Sequence, residues 1–495
     1  MQLWIGVHLP LLCLEVFRPK WSHDACDAHD AAEGLAVLEK ERVIAADPRA
    51  RDAGVCLGMR RGGVLTLAPS TVMHERDSTA EVNALREIAT GLLNLSPQVV
   101  IAEESTVLVD VSASLRLFGG IRSLRRMARR VANAMGVTAC IGIAPTGQAA
   151  WLLARYRGGV ALSHDSLSRR LAGLPVSLPT PARRHLDWLT GIGCETVGQL
   201  LRLPRAGLKK RCGTALLDLL DRANGEAPEV YEWFETPPTF QVRVELPDRI
   251  EHAEACLFAA RRLVVQLTGW LSQKQFAVTR IALLLEHERG RDAIEPTPIE
   301  VSLAEPTWRE DHLVRLLKER LTRVELAAAV IALQLVVQEV KEAEPASDSL
   351  FPEPGGTAAD HARLLELLVA RLGAENVLRP APVADHRPEV AARWVPVTDR
   401  ATKYVAPATD TPRPAWLLEA PIKLLMRGER PFYGTPLRTR SSGERVEAGW
   451  FGGQPVTRDY FVAEADDHIC YWIFRERIGA VDEDEPRWYL HGLFG

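Results

Sequence analysis

Glu103, Glu104 and Asp110, set on either side of the apolar run Val107-Leu108-Val109, are residues that could hold a divalent cation at the ends of one strand. Hard cations take oxygen ligands. Phosphoryl-transfer centres that use two of them hold the pair about 3.5 to 4 Å apart, between the attacking and leaving oxygens. Such a centre needs carboxylates from a second strand. The other strand-like run, Leu3-Trp4-Ile5-Gly6-Val7-His8-Leu9, lies in a stretch that has no Asp or Glu between Met1 and Cys13. Neutral hydroxyls at Ser105 and Thr106 are no substitute for carboxylate oxygen.

The elements around these residues read as an α+β multidomain chain. Alternating apolar residues predict buried strands at Leu3–Leu9, Thr106–Val111 and Val137–Ala144. A Pro-rich turn at 174–180 leads to helices over about 181–226, and Pro237-Pro238 opens a segment reaching about Val340. The stretch 342–357 is acidic and rich in Pro and Gly, the composition of an exposed linker. A helix over about His361–Leu372 and a Pro-rich stretch to 415 follow, and the chain closes on strands from about Ala420.

The strand residues carry a family resemblance. Ile5 to Glu15, Glu103 to Val111 and Val137-Thr138-Ala139-Cys140-Ile141-Gly142-Ile143-Ala144-Pro145 resemble the palm of Y-family translesion DNA polymerases. Anchored on Glu15 and Asp110, the family's metal-binding carboxylates fall at Gly6, Ser105 and Thr106, none of which is acidic. The segment Ala46–Met59 resembles the fingers, with Arg51 kept and Pro48 in place of the triphosphate-binding Tyr. Leu11 takes the sugar-sensing aromatic position, and Thr146-Gly147 replaces an Asn-Lys pair. The resemblance implies a palm at 1–160 with a fingers-like insert at about 14–70, a helix-hairpin-helix thumb at 165–232, a little finger at 238–341, a linker at 342–357 and a carboxy-terminal region at 358–495.

Two of these regions carry nucleic-acid signals. Leu189-Thr190-Gly191-Ile192-Gly193-Cys194 has the small-residue pattern of a helix-hairpin-helix, in which Gly191 and Gly193 let backbone amides approach a phosphate. Lys209, Lys210 and Arg211 supply charge beside it, and the alternative is an ordinary helix-helix turn. In the little-finger-like segment Lys274 and Arg280 are phosphate contacts or solvated surface residues. The series Arg122, Arg125, Arg126, Arg129, Arg130 places several arginines on one helical face, with Leu124, Met127, Ala128 and Val131 on the other, and reads as a solvated back.

The linker holds Ser347-Asp348-Ser349-Leu350-Phe351, which resembles the peptide that docks on the bacterial sliding clamp, with Ser347 where Gln is preferred. Two apolar anchors in a short acidic segment suit a preformed pocket; the alternative is that they fold back on the little finger. From Phe432 to Gly495 lie 12 of the 31 aromatic residues, so the tail is aromatic-rich. Trp450, Phe451, Arg458, Tyr460, Trp472 and Trp488 are its candidate partner-binding residues, the alternative for each aromatic being the core of a small antiparallel β module.

Bulk properties agree with a globular chain of three or four domains: 495 residues, 47% hydrophobic, 25% charged, net charge -4. Met1–Leu14 is too short to span a bilayer and lacks a basic leader, so no membrane or targeting segment is expected. Eight scattered cysteines without a Cys-x-x-Cys pair predict neither zinc nor a disulfide framework, which fits a reducing cytoplasm. The tail's aromatic strands are similar to a branch of the family that has lost catalysis and serves as a mutasome scaffold. That resemblance implies an adaptor of error-prone translesion synthesis in the SOS response, nucleoid-associated and without cofactor. Its implied partners are primer-template DNA, the sliding clamp, a RecA-like accessory protein and an error-prone replicative-type polymerase. Two other readings stay open: an active polymerase using Glu103, Glu104 and Asp110, and a stand-alone DNA-binding module.

Overall fold

Strand β1 (Trp4–His8) is apolar at nearly every position because both of its faces are covered. The computed structural model of the chain describes residues 2–19, 33–288, 294–343, 358–399, 412–450, 455–477 and 487–494. From β1 the chain passes through α1 (Leu12–Glu15) into a small sheet of β2 (Leu35–Glu39), β3 (Arg42–Ala46) and β4 (Val72–Glu75), carrying α2 (Pro48–Asp52) and α3 (Arg61–Leu67). It returns through α4 (Ser78–Leu92), the hairpin β5 (Val99–Ala102) and β6 (Thr106–Asp110), α5 (Ile121–Ala134), β7 (Cys140–Ala144), α6 (Gly147–Arg155) and β8 (Gly159–Val160).

The main sheet has the order β5-β6-β1-β7-β8, with β1 antiparallel to both neighbours. Ile5 and Val7 point to the α4 and α5 side, with Val107, Val109, Ile88 and Leu124 in one core. Trp4 and Leu108 point to the α6 side, in a core continued by the helices that follow: α7 (His164–Ala172), α8 (Leu186–Gly191), α9 (Val197–Leu201), α10 (Arg205–Cys212) and α11 (Thr214–Asn224).

An extended strap, residues 226–240, then recrosses the sheet. Phe234 N–H donates to the Val99 carbonyl at 2.8 Å, and Trp233 stacks on Trp4 with centroids 6.1 Å apart. Beyond it lie β9 (Gln241–Ile250), α12 (Leu257–Lys274), β10 (Phe276–His287), β11 (Thr297–Thr307), α13 (Glu310–Leu321) and β12 (Val330–Glu342), in the sheet order β11-β10-β12-β9. Strands β10 and β11 form an antiparallel hairpin within this four-stranded sheet. Helix α12 packs on α4 through a glycine crossing: a Cβ at Gly269 would lie 1.9 Å from the Thr90 carbonyl oxygen. The Arg262–Glu87 pair at 2.6 Å closes the seam.

Compact units run from Met1 to Leu367 and from Leu368 to Gly495, so the boundary falls inside α14 (Ala358–Leu372) and not at 357/358. Up to that boundary α14 belongs with the β11 edge, where the Glu366 carboxylate accepts from Ala304 N–H and pairs with His312 at 2.7 Å each.

The second unit holds a hairpin, β13 (Leu378–Pro382) and β14 (Ala392–Pro396), then β15 (Trp416–Lys423) and a meander of β16 (Leu425–Arg427), β17 (Arg430–Tyr433) and β18 (Thr435–Pro436). Strands β19 (Arg438–Thr439), β20 (Glu444–Ala448), β21 (Val456–Glu464), β22 (Cys470–Glu476) and β23 (Trp488–Leu493) complete its main sheet, of order β15-β23-β22-β21-β19 with β20 also on β21.

Candidate functional site

The β5–β6 turn brings Glu104 and Ser105 to the carboxyl end of β1. Both have positive φ, 54° and 49°, left-handed backbone in the tight three-residue turn between Ala102 and Thr106. In the register of β1 and β6, His8 lies opposite Thr106, while Gly6 lies two residues deeper, opposite Leu108 and Gly142. Gly6, one of the three positions to which the resemblance assigns a metal ligand, thus lies deeper in the sheet than Ser105 and Thr106. A Cβ at Gly6 would lie 2.6 Å from the Ala150 carbonyl oxygen, because α6 settles directly on Gly6 and Gly142. No side chain fits there, acidic or otherwise.

The residue that β1 does present to the turn is His8. Its Nδ1 donates to the Glu104 carbonyl at 3.0 Å and lies 3.1 Å from Thr106 Oγ1. Burial, and then the nearby Arg155 charge, hold this imidazole below its usual pKa, so it stays neutral at pH 7.

The Glu104 carboxylate pairs with Arg155 and with Arg183, the latter at 3.1 Å, and accepts from Thr180 Oγ1 at 2.7 Å. Arg155 lies with its guanidinium 4.2 Å from the Trp151 ring centroid, donates to the Leu178 carbonyl and is almost fully buried. Burial lowers the pKa of that guanidinium and Glu104 raises it in part. Trp151 Nε1 in turn donates to the Glu103 carbonyl at 3.0 Å. A carboxylate held by two guanidinium groups thus occupies the strand end.

Asp110 sits at the far end of β6, opposite Trp4, and accepts from Ser112 N–H at 2.9 Å. Strand geometry puts it roughly 14 Å beyond Thr106, too far to share a cation with Glu104. Among the described residues no group of three His, Cys, Asp or Glu side chains is arranged to hold a metal ion. Glu15 is buried and accepts from Thr138 N–H at 2.8 Å. Leu11 packs beside Leu35 and Val37, and Arg51 donates to the Ala46 carbonyl at 2.8 Å.

The amino terminus of α6 is occupied as well. Glu229 of the strap accepts from Gly147 N–H at 2.8 Å and Gln148 N–H at 2.7 Å, filling an end whose unpaired donors and dipole favour an anion. Tyr231 closes over it, donating to Glu229 at 3.1 Å. Nothing local in the sequence shows this, since the two partners lie about eighty residues apart.

At the thumb, Gly191 ends α8, and Gly193, with φ 74°, forms an open hairpin tip. The amides expected to meet a phosphate already have partners. Ile192, Gly193 and Cys194 N–H donate to Trp188, Thr190 and Leu189 carbonyls; Glu195 and Thr196 donate to Gln199 Oε1; Val197 donates to the Leu174 carbonyl. The capacity to meet phosphate therefore moves to the side chains of α10. Lys209, Lys210 and Arg211 are exposed, and Arg211 lies 5.1 Å from the Trp188 ring centroid.

The little-finger-like sheet is less suited to a polyanion than expected. Lys274 is half-buried at the end of α12, and exposed Arg280 pairs in register with Glu339. On the same outward face Arg243 is held by Glu286 at 2.9 Å and Glu245 at 2.8 Å, and Glu300 is exposed. Acidic residues outnumber basic ones there.

In the second unit burial reassigns two candidates. Tyr460 is 1% and Trp472 2% exposed; their rings stack at 4.1 Å in the core, where they are unavailable to a partner. Trp488 is half-buried against Phe461, and Arg458 spans from Glu389 to the face of Phe474. Trp450 is exposed, and the exposed Trp394 and Trp416 escaped sequence reading because both lie before the aromatic-rich stretch. Phe451 and the peptide Ser347, Asp348, Ser349, Leu350, Phe351 lie outside the described residues.

Protein ImuB of Caulobacter vibrioides, in the curated sequences of strains NA1000 / CB15N and ATCC 19089, is 28% identical over 479 residues, covering 89% of this chain and all of that protein. This chain is similar to that protein along most of its length. The IMS family model, described as the impB/mucB/samB family, matches residues 30–155 of this chain. Solved structures similar to it include a Dbh ternary complex, 18% identical with a TM-score of 0.37 over 68% of this chain and 98% of that one. DinB from Sulfolobus solfataricus is likewise 18% identical with a TM-score of 0.37, over 69% and 100%. The chain has an α+β multidomain fold with a carboxy-terminal β module.

Proposed function

We propose that this chain is a non-catalytic adaptor of error-prone translesion DNA synthesis in the SOS damage response. It would join primer-template DNA to the sliding clamp, a RecA-like accessory protein and an error-prone replicative-type polymerase. The observation that carries the reading is Glu104. Of the two acidic side chains at that turn, Glu103 is exposed and Glu104 is engaged by Arg155, Arg183 and Thr180, and Gly6 has no room for another.

In this reading the regions 1–160, 165–232 and 238–341 act as palm, thumb and little finger without chemistry. Lys209, Lys210 and Arg211 hold duplex backbone; Leu350 and Phe351 anchor the clamp; the exposed tail residue Trp450 meets another partner. Linked weak contacts raise the effective concentration of each partner at the lesion, so none needs to be tight. Reconstituted bypass tests this: on a lesion-bearing template with clamp and error-prone polymerase, adding the chain should raise full-length product, and Leu350→Ala/Phe351→Ala should abolish the gain. A bypass yield indifferent to the chain would remove the adaptor role.

A further inference from the structure

Helix α5 presents five arginines and no acidic residue. At 100° per residue, Arg122, Arg126 and Arg129 fall within a narrow arc directly opposite the buried Leu124, Ala128 and Val131, with Arg125 and Arg130 on the flanks. Arg130 alone is neutralised, by Asp311 at 2.8 Å and Glu310 at 3.7 Å of the little-finger-like α13. Arg122, Arg126 and Arg129 are exposed with no carboxylate partner among the described residues, and Arg125 Nε is buried without a hydrogen-bond partner there. In a chain of net charge -4, this leaves a concentrated positive stripe on the face of the palm away from α6. Solvated surface helices usually intersperse acidic residues among such cations; this one does not.

We infer that the α5 arginine stripe is a second contact for the sugar-phosphate backbone of duplex DNA, independent of the thumb. Guanidinium groups suit phosphate oxygens, which they can engage through two parallel hydrogen bonds. Arg122, Arg126 and Arg129 stand on one line, at helical rises of about 6 Å and 4.5 Å. The exposed arc carries no aromatic residue on which an unpaired base could stack, as single-strand sites do. The stripe therefore fits duplex, without sequence preference. This rests on the reading of the chain as a DNA-bound scaffold and adds to it a second site that would let the protein hold DNA while the thumb is released.

The test is binding of the full-length chain to a short labelled duplex of arbitrary sequence, followed by anisotropy from about 50 to 200 mM salt. Arg122→Gln/Arg126→Gln/Arg129→Gln, with its fold checked by circular dichroism, should lower the slope of log Kobs against log salt by about 2 to 3, since each duplex phosphate neutralised contributes about 0.9. The triple Lys variant should keep the wild-type slope. Lys209→Gln/Lys210→Gln should lower the slope separately and additively. An unchanged slope in the Gln variant, or a change seen only with single-stranded DNA, overturns the duplex site while leaving the thumb contact intact. No DNA binding by the wild type overturns the DNA reading itself.

Discussion

Replacing Glu104 by Ala should destabilise the palm in the absence of any metal. The change leaves Arg155, whose side chain is 3% exposed, without its counter-charge. Removing one partner of a buried pair costs about 3–5 kcal/mol, because the other charge stays buried and unpaired. Glu104 is itself 28% exposed, so water can reach the vacated space, and the low end, about 3 kcal/mol, is expected. Arg183 is 47% exposed, and Arg183→Ala should cost under about 1 kcal/mol, as surface pairs do. The two arginines are thus separable by magnitude.

Glu104→Ala and Arg155→Ala should be less damaging together than the sum of their separate effects, with a coupling of about 1–3 kcal/mol. Urea unfolding followed by tryptophan fluorescence reads this, taking the midpoint and slope of the transition that contains Trp151 because a chain of several domains has no single unfolding free energy. A second arm adds Mg²⁺, which stabilises any protein whose folded state binds it. A Glu104→Ala cost below about 1 kcal/mol, or Mg²⁺ stabilisation of the wild type that the variant loses, would refute the reasoning.

Further outcomes follow from the tail and the linker. Burial raises the Asp459 carboxyl, but hydrogen bonds from Arg477, Arg445 and Arg475 outweigh it and hold the pKa at about 2. A folded-state pKa below the unfolded value adds stability that is present above about pH 4 and lost as the pH falls through about 2; thermal unfolding of the full chain across that window should show a tail transition dropping, and Asp459→Asn should flatten the dependence. Trp472→Ala should cost about 3–5 kcal/mol, whereas Trp450→Ala, at 61% exposure, should leave the melt unchanged and weaken capture of the error-prone polymerase. Leu350→Ala/Phe351→Ala should abolish retention of the full-length chain on immobilised sliding clamp without altering its DNA affinity, and retained binding would place the clamp contact elsewhere.

Much of the fold is legible because it is written in local periodicity. The apolar runs at β1, β6 and β7 and the small-residue hairpin before α9 stand where alternation and turn residues put them. What the sequence hides is set by non-local register. The pairing of His8 with Thr106 depends on how two strands slide past each other, and a shift of two residues leaves the pattern of apolar faces unchanged. Glu229 at the start of α6, Gly269 against Thr90 and the acidic neighbours of Arg280 are likewise contacts between distant segments. Aromatic richness marked the tail as unusual but could not separate Tyr460 and Trp472, packed face to face in its core, from the exposed Trp450. Arginine spacing on α5 was visible; that four of the five find no carboxylate partner among the described residues was not.

Whether the palm performs chemistry is tested most directly by primer extension with the purified full-length chain alone, all four nucleotides and Mg²⁺ or Mn²⁺. The preparation must first be shown to bind the primer-template. With Glu104 engaged by Arg155 and Arg183 and no room for a carboxylate at Gly6, no primer should lengthen with either metal. Extension that disappears in Glu103→Ala/Glu104→Ala, under conditions where the variant remains folded, would make the chain a polymerase with a displaced metal site.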